Sequence, residues 1–177
     1  PFSCKGRAFC PACIGRRMAE MARRWCDTLL PHVPYRQWVI TVPWARRKLL
    51  AYRPGLARGV LALALDEIFE WLTEEARQLG LVDVRCGAVT VQQRWGSALV
   101  LNLHYHSLVP DGVFARGADG EVVFHRLYPH RADLEALVQR IAARSEAWLE
   151  AQGGDDAPDP EDAQPALIAA AVEGRAA

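Results

Sequence analysis

No apolar run in this chain approaches the roughly 20 residues needed to cross a bilayer, and no signal-peptide pattern opens it. Both absences point away from the membrane, and the expectation is a soluble, cytoplasmic protein. Cysteine is scarce: five in 177 residues, an odd number, which argues against a complete disulfide framework. No internal repeat is present, so a solenoid is set aside. An initiator methionine is also lacking; the chain begins Pro1-Phe2-Ser3-Cys4 and stops at Gly174-Arg175-Ala176-Ala177 within an apolar stretch, so it reads as a piece of something longer.

Net charge is zero as well, but the average conceals an asymmetry. Residues 1–58 carry twelve Lys or Arg against Glu20 and Asp27 alone, whereas residues 150–177 carry seven Asp or Glu against Arg175. A basic front end is the electrostatic footprint of a polyanion-binding surface. Solvated helix faces produce the same imbalance, so charge by itself leaves nucleic acid and a bland surface side by side.

What is present is enough for one domain with a core, since about half of the residues are apolar. The segment "IGRRMAEMARRWCDTLLP" reads as a helix closed by Pro31 and Pro34, with Ile14, Met18, Met21, Trp25 and Leu29 on a packing side. "RQWVITVP" is rich in β-branched and aromatic residues and reads as a strand. "WARRKLLAY" follows as a short helix. Residues 55–80 form the clearest helix, with Leu61, Leu65, Ile68, Leu72 and Leu79 as its buried stripe and Gly80 as its C-cap. Two hairpins come next, one turning at Gly96-Ser97 and one at "GADG", then a helix over 132–150 and an acidic Pro- and Gly-rich linker. The pattern predicts an α+β fold: helices on one face of a largely antiparallel sheet, with the other face free.

The chain has only five histidines, and two of them, His104 and His106, fall within "LNLHYHSLVPDGVF". On a strand, residues two apart share a face about 6.6 Å from one another. Two imidazoles so placed are able to converge on one metal ion, with Tyr105 pointing the opposite way. The bland alternative is a pair of surface histidines that bind nothing. Gln93 shares that face if the Gly96-Ser97 turn is a two-residue loop, several residues from the pair, and is a candidate third ligand; a one-residue slip makes it Gln92. At the N-terminus, Cys10-Pro11-Ala12-Cys13 has the knuckle spacing of two zinc ligands. Arg16, Arg17, Arg23 and Arg24 on the helix that follows, with Arg46, Arg47 and Lys48 after the first strand, are positioned to track a DNA backbone. Trp44 and Trp95 are candidates to stack on unpaired bases, or belong to the core rim. Cys26 and Cys86 read as packing residues, and His32, His125 and His130 as ordinary loop or strand-end side chains.

"FSCKGRAFCPACIGRRMA", "VPYRQWVITVPW", "GAVTVQQRWGSALVLNLHYHSLVPDGVF" and "AAVEGRAA" together resemble the two-tyrosine HUH transposases of the insertion sequence ninety-one family, rolling-circle enzymes of bacterial mobile elements. The resemblance implies a divalent metal, manganese or magnesium, held by His104, His106 and a third polar group, and single-stranded DNA cut by a tyrosine that becomes linked to the 5′-phosphate. It implies a four-cysteine zinc domain in which a further CxxC pair precedes Cys10; whether Cys4 is a ligand is left open by its spacing. The family's nucleophilic tyrosines lie on a helix downstream of the histidine motif, so Tyr35, Tyr52, Tyr105 and Tyr128 are not candidates. The implied organisation is a partial zinc-binding segment and basic helix over 1–30, an HUH nuclease-like core over 31–150, and an acidic linker with the start of the next helix over 151–177. The competing expectation is a non-catalytic nucleic-acid-binding module with a zinc knuckle and a basic helix.

Overall fold

The computed structural model describes residues 11–96, 100–117 and 119–153. The chain divides into two compact units, Pro1–Val33 and Pro34–Ala177.

In the first unit, helix α1 (Pro11–Arg24) continues into a π-helical turn over Trp25–Leu29, closed by Leu30 N–H donating to the Trp25 carbonyl at 2.8 Å. Pro31, which has no N–H to donate, follows at once. Arg16 pairs with Glu20 and Arg23 with Asp27, each one turn along the helix. The expected packing side does not pack: Met18 and Leu29 are each 59% exposed, and Ile14 and Met21 are exposed too. No second described element of this unit offers an apolar face against which the stripe can be buried. Cys26, expected as a packing residue, is likewise exposed.

The second unit is built on three antiparallel strands, β1 (Tyr35–Thr41), β2 (Val89–Trp95) and β3 (Leu101–Pro110), in the order β1-β3-β2. Strand β3 is central. Its odd-numbered residues Leu103, Tyr105, Ser107 and Val109 are fully buried, while the even-numbered His104, His106 and Leu108 are partly open. The covered face packs helices α2 (Trp44–Tyr52), α3 (Pro54–Gln78) and α4 (Arg131–Ala151). One core cluster gathers Val42, Leu49, Leu50, Val60, Leu103, Tyr105 and Leu149; the other gathers Ile68, Trp71, Leu72, Val109, Val113, Leu127 and Leu137. The architecture is therefore α+β with helices on one side of an antiparallel sheet. Among the described residues, no helix is long and apolar enough to cross a membrane.

After β3 the chain leaves this sheet. Strands β4 (Gly112–Arg116) and β5 (Val122–Arg126) form a separate two-stranded ladder. Asp111 holds the corner: its carboxylate is 6% exposed and accepts from Arg36 at 2.8 Å and Arg126 at 3.1 Å, while its N–H donates to the Pro34 carbonyl. A side chain at Gly112 would place its Cβ 2.1 Å from the His125 carbonyl oxygen, so glycine is the residue that lets β5 approach.

The buried seam of α3 runs through Ala57, Val60, Ala64, Ile68, Trp71, Leu72 and Ala76, not through the full leucine stripe; Leu79 is 64% exposed at the helix end, just before Gly80 in left-handed backbone. Helix α4 comes close at Gly59, beside this seam. A Cβ on Gly59 would lie 2.1 Å from the Trp148 ring. Gly59→Ala is accordingly expected to lower stability by about 1–3 kcal/mol through overpacking, although alanine favours helix, and urea unfolding of the two chains measures it. Helix α4 starts from a reciprocal cap, in which His130 N–H donates to the Asp133 carboxylate at 2.7 Å while the His130 ring accepts from the first turn.

Candidate functional site

Strand pairing assembles the open face of the sheet from three strands. Thr41, His104 and Gln93 form one cross-sheet row, and Val39, His106 and Val91 form the next. Val39 is 55% exposed and Val91 45%, so no helix covers the two rows. The imidazole centroids of His104 and His106 lie 4.9 Å apart, with their planes at 67°. Both Nδ1 atoms are engaged. His104 Nδ1 lies 2.6 Å from the Asn102 carbonyl, and because a carbonyl only accepts, that nitrogen carries the proton and Nε2 keeps its lone pair. His106 Nδ1 lies 2.7 Å from the side-chain amide nitrogen of Gln37 on β1, and because that nitrogen only donates, Nδ1 accepts.

Gln93 stands nearer the pair than the hairpin expectation put it. A two-residue turn at Gly96-Ser97 would set Gln93 across from Val100; its partner is His104. The connection is longer, with Gly96 N–H donating to the Val100 carbonyl at 2.9 Å, and the pairing slips between Gln93 and Trp95. The displacement is an even number of residues, so Gln93 keeps its face. Gln92 pairs with Tyr105 instead, and its amide nitrogen is buried without a partner among the described residues.

Tyr105 points into the core, where its hydroxyl donates to the Ala57 carbonyl at 2.8 Å. Burial pushes its phenol up to about 12, with Arg94 opposing only in part. Tyr35 shares the histidine face by alternation but stands two rows beyond His106, about 13 Å along the strand. Tyr128 is exposed beneath the Arg126 guanidinium.

The cationic residues are less uniform than their sequence suggests. Arg46 grips Glu146 of α4 at 2.7 Å and is largely covered. Arg47 donates to the Val42 carbonyl and lies 5.5 Å over the ring of Trp44, which is 72% exposed. Lys48 is half-buried, whereas Arg16, Arg17, Arg23 and Arg24 are all exposed. Trp95 is 52% exposed. Cys4 and Cys10 lie outside the described residues, and Cys13 is placed through its backbone in the first turn of α1. An apolar cleft of about 410 Å3 opens between β1 and α4, lined by Trp38, Ile40, Leu137, Ile141 and Leu149; it contains neither histidine.

A family of transposase zinc-binding domains matches residues 1–42, and the transposase family Y2_Tnp matches residues 87–162, which include both histidines and Gln93. The chain belongs to the insertion sequence ninety-one family of transposases. No curated protein and no solved structure matches it. As a transposase it has DNA as its partner, and its N-terminal segment is of the zinc-binding kind.

Whether the open face of the transposase suits a divalent cation is a question of donor chemistry. Among the described residues, no three His, Cys, Asp or Glu side chains gather at one point. A cation here would therefore take two imidazoles plus neutral oxygen donors, of which the exposed Gln93 amide is the nearest in register. Two rings on a stiff strand with the face open fit that set, His104 through the Nε2 lone pair that its contact to the Asn102 carbonyl leaves free. Sequence reasoning missed Gln37. Its alternation with Val39 and Thr41 put it on an outer face, but nothing local said that β1 lies beside β3.

Proposed function

We propose that this chain is the metal-dependent core of a rolling-circle transposase of the HUH type, acting on single-stranded DNA. The observation that supports this reading is the histidine pair: two rings 4.9 Å apart on the uncovered face of a central strand, inside the segment that matches a transposase family. A bound divalent cation would supply Lewis-acid polarisation of the scissile phosphate. His104 would hold it through Nε2 and His106 through a ring nitrogen, with the Gln93 amide oxygen as third protein ligand. The open sheet face admits a flexible strand, and Val39 and Val91 limit the water around the bound phosphate.

Attack by a tyrosine oxygen on phosphorus breaks the bond to the 3′-oxygen, giving a 5′-phosphotyrosine and a free 3′-hydroxyl. That tyrosine belongs to the family's downstream helix; Tyr105 is sealed in the core and Tyr35 stands too far along the face. Neither of these two tyrosines is placed to attack a phosphate bound at the pair, so no covalent DNA adduct is expected through them. Cys4, Cys10 and Cys13 are the proposed zinc ligands. Arg16, Arg17, Arg23 and Arg24 supply backbone contacts, with Arg47 and Lys48 beside Trp44 as a second patch where a base stacks. Arg46, committed to Glu146, serves mainly to fix α2 on α4.

Fluorescence anisotropy with a labelled single-stranded oligonucleotide tests the reading. Added Mn2+ is expected to tighten binding to the wild-type chain and to leave the His104→Ala/His106→Ala chain unchanged. Identical responses in both chains would refute it.

A further inference from the structure

At the sheet edge, helix α4 leaves apolar surface uncovered. Strand β1 is the outer strand of its sheet, and among the described residues no strand pairs with its far side. Between it and α4 lies the cleft of about 410 Å3, walled by Trp38 and Ile40 on the strand and by Leu134, Leu137 and Ile141 on the helix. Val138 lines it too and is 63% exposed. Packed interiors leave few voids of this size, so the cleft calls for atoms that the described residues do not supply. A polar group points the same way. Ser145, on the α4 wall, is 8% exposed, and its hydroxyl has no hydrogen-bond partner among the described residues. Buried hydroxyls are normally paired, and the backbone of an occupant would supply what Ser145 lacks.

We propose that the occupant is the segment 166–172 of this chain, with Leu167 and Ile168 filling the cleft. Helix α4 is itself a wall and ends at Ala151, so the chain that follows it starts beside the cleft. Residues 152–164 hold five Asp or Glu and no apolar side chain larger than proline, whereas 166–172 reads Ala-Leu-Ile-Ala-Ala-Ala-Val without a charge. Burying the acidic stretch would be costly, so Leu167 and Ile168 are the first residues past α4 suited to an apolar seat. Reach is sufficient. The helix side of the cleft runs from Leu134 to Leu149, about 22 Å, and the fourteen residues from position 153 to 167 span up to about 46 Å. The tether also makes the contact intramolecular, at an effective concentration that a second copy does not match in dilute solution. Strand β1 carries Val39 and Thr41 of the two histidine rows, so filling the cleft braces the strand beside the pair. This seat is independent of any cation there.

The test uses the whole chain with Val138 replaced by the photoreactive p-benzoylphenylalanine, prepared as an equal mixture of isotope-labelled and unlabelled chains. Irradiation is expected to join position 138 to residues 166–172 of the same chain, as localised by mass spectrometry. Leu167→Asp/Ile168→Asp should abolish that adduct and raise the binding of an apolar fluorescent dye to the uncovered cleft. Val138 is exposed, and Leu167 and Ile168 belong to no described element, so none of these changes falls on the buried core. An adduct between labelled and unlabelled chains would assign the cleft to a second copy and overturn the proposal. An adduct elsewhere in the chain, no adduct, or one that survives the two Asp substitutions overturns it as well.

Discussion

Removing both imidazoles, as His104→Ala/His106→Ala, is expected to reduce calorimetric Mn2+ binding at the sheet face to the heat of dilution, at concentrations that saturate the wild type. Each single substitution should weaken binding by more than the about 10–100-fold attributed to loss of an orienting partner, because a bond to the ion itself is lost. No nearby carboxylate stands ready to compensate, since the described residues hold no third acidic, thiol or imidazole group at this point. The remaining donors, the Gln93 amide and the Thr41 hydroxyl in the same cross-strand row, are neutral and bind a cation weakly in competition with water. Imidazole also favours manganese over magnesium, so the contrast between wild type and variant should be larger with Mn2+ than with Mg2+. Unaltered Mn2+ heat in the double variant would place the cation elsewhere and leave a non-catalytic DNA-binding module.

The parts of this site that sequence alone made legible are those set by local geometry. That His104 and His106 share a face and Tyr105 opposes them follows from the two-residue period of a strand, whatever the strand pairs with. What lies beside the pair depends on pairing, which is not local. Gln93 comes level with His104 only because the connection after Trp95 is longer than a tight turn and the ladder slips near Arg94. Gln37 arrives through strand order, since β1 and β3 are neighbours with α2, α3 and β2 between them in the chain. The helices show the same division. Their extents were readable from periodicity, but the stripe of α1 has no described partner surface, and Leu79 falls outside the α3 seam because it stands at the helix end.

Glu67 is the charged residue on which the α3–α4 seam depends, and Glu67→Ala is expected to cost about 2–4 kcal/mol of stability. The carboxylate is 2% exposed and receives Arg140 and Arg144 of α4 at 2.7 Å each. Both guanidinium groups remain nearly half exposed, at 46% and 42%, so on removal of Glu67 they return to water, and the loss stays below that of a fully buried pair. Burial opposes ionisation of Glu67, but the hydrogen bonds from Arg144 and Arg140 outweigh it and hold the carboxyl below its ordinary value. The sign follows from that direction. The folded chain releases this proton more readily than the unfolded chain, so the stabilisation is complete above about pH 4.3 and is lost as pH falls through the lower folded value. Glu67→Gln, which keeps the volume and one acceptor, should therefore be less stable than wild type at pH 7 and approach it under acid conditions. Urea midpoints measured from pH 7 down to pH 3 test this directly, and a gap that stays constant across that range would show that the seam is held by packing alone.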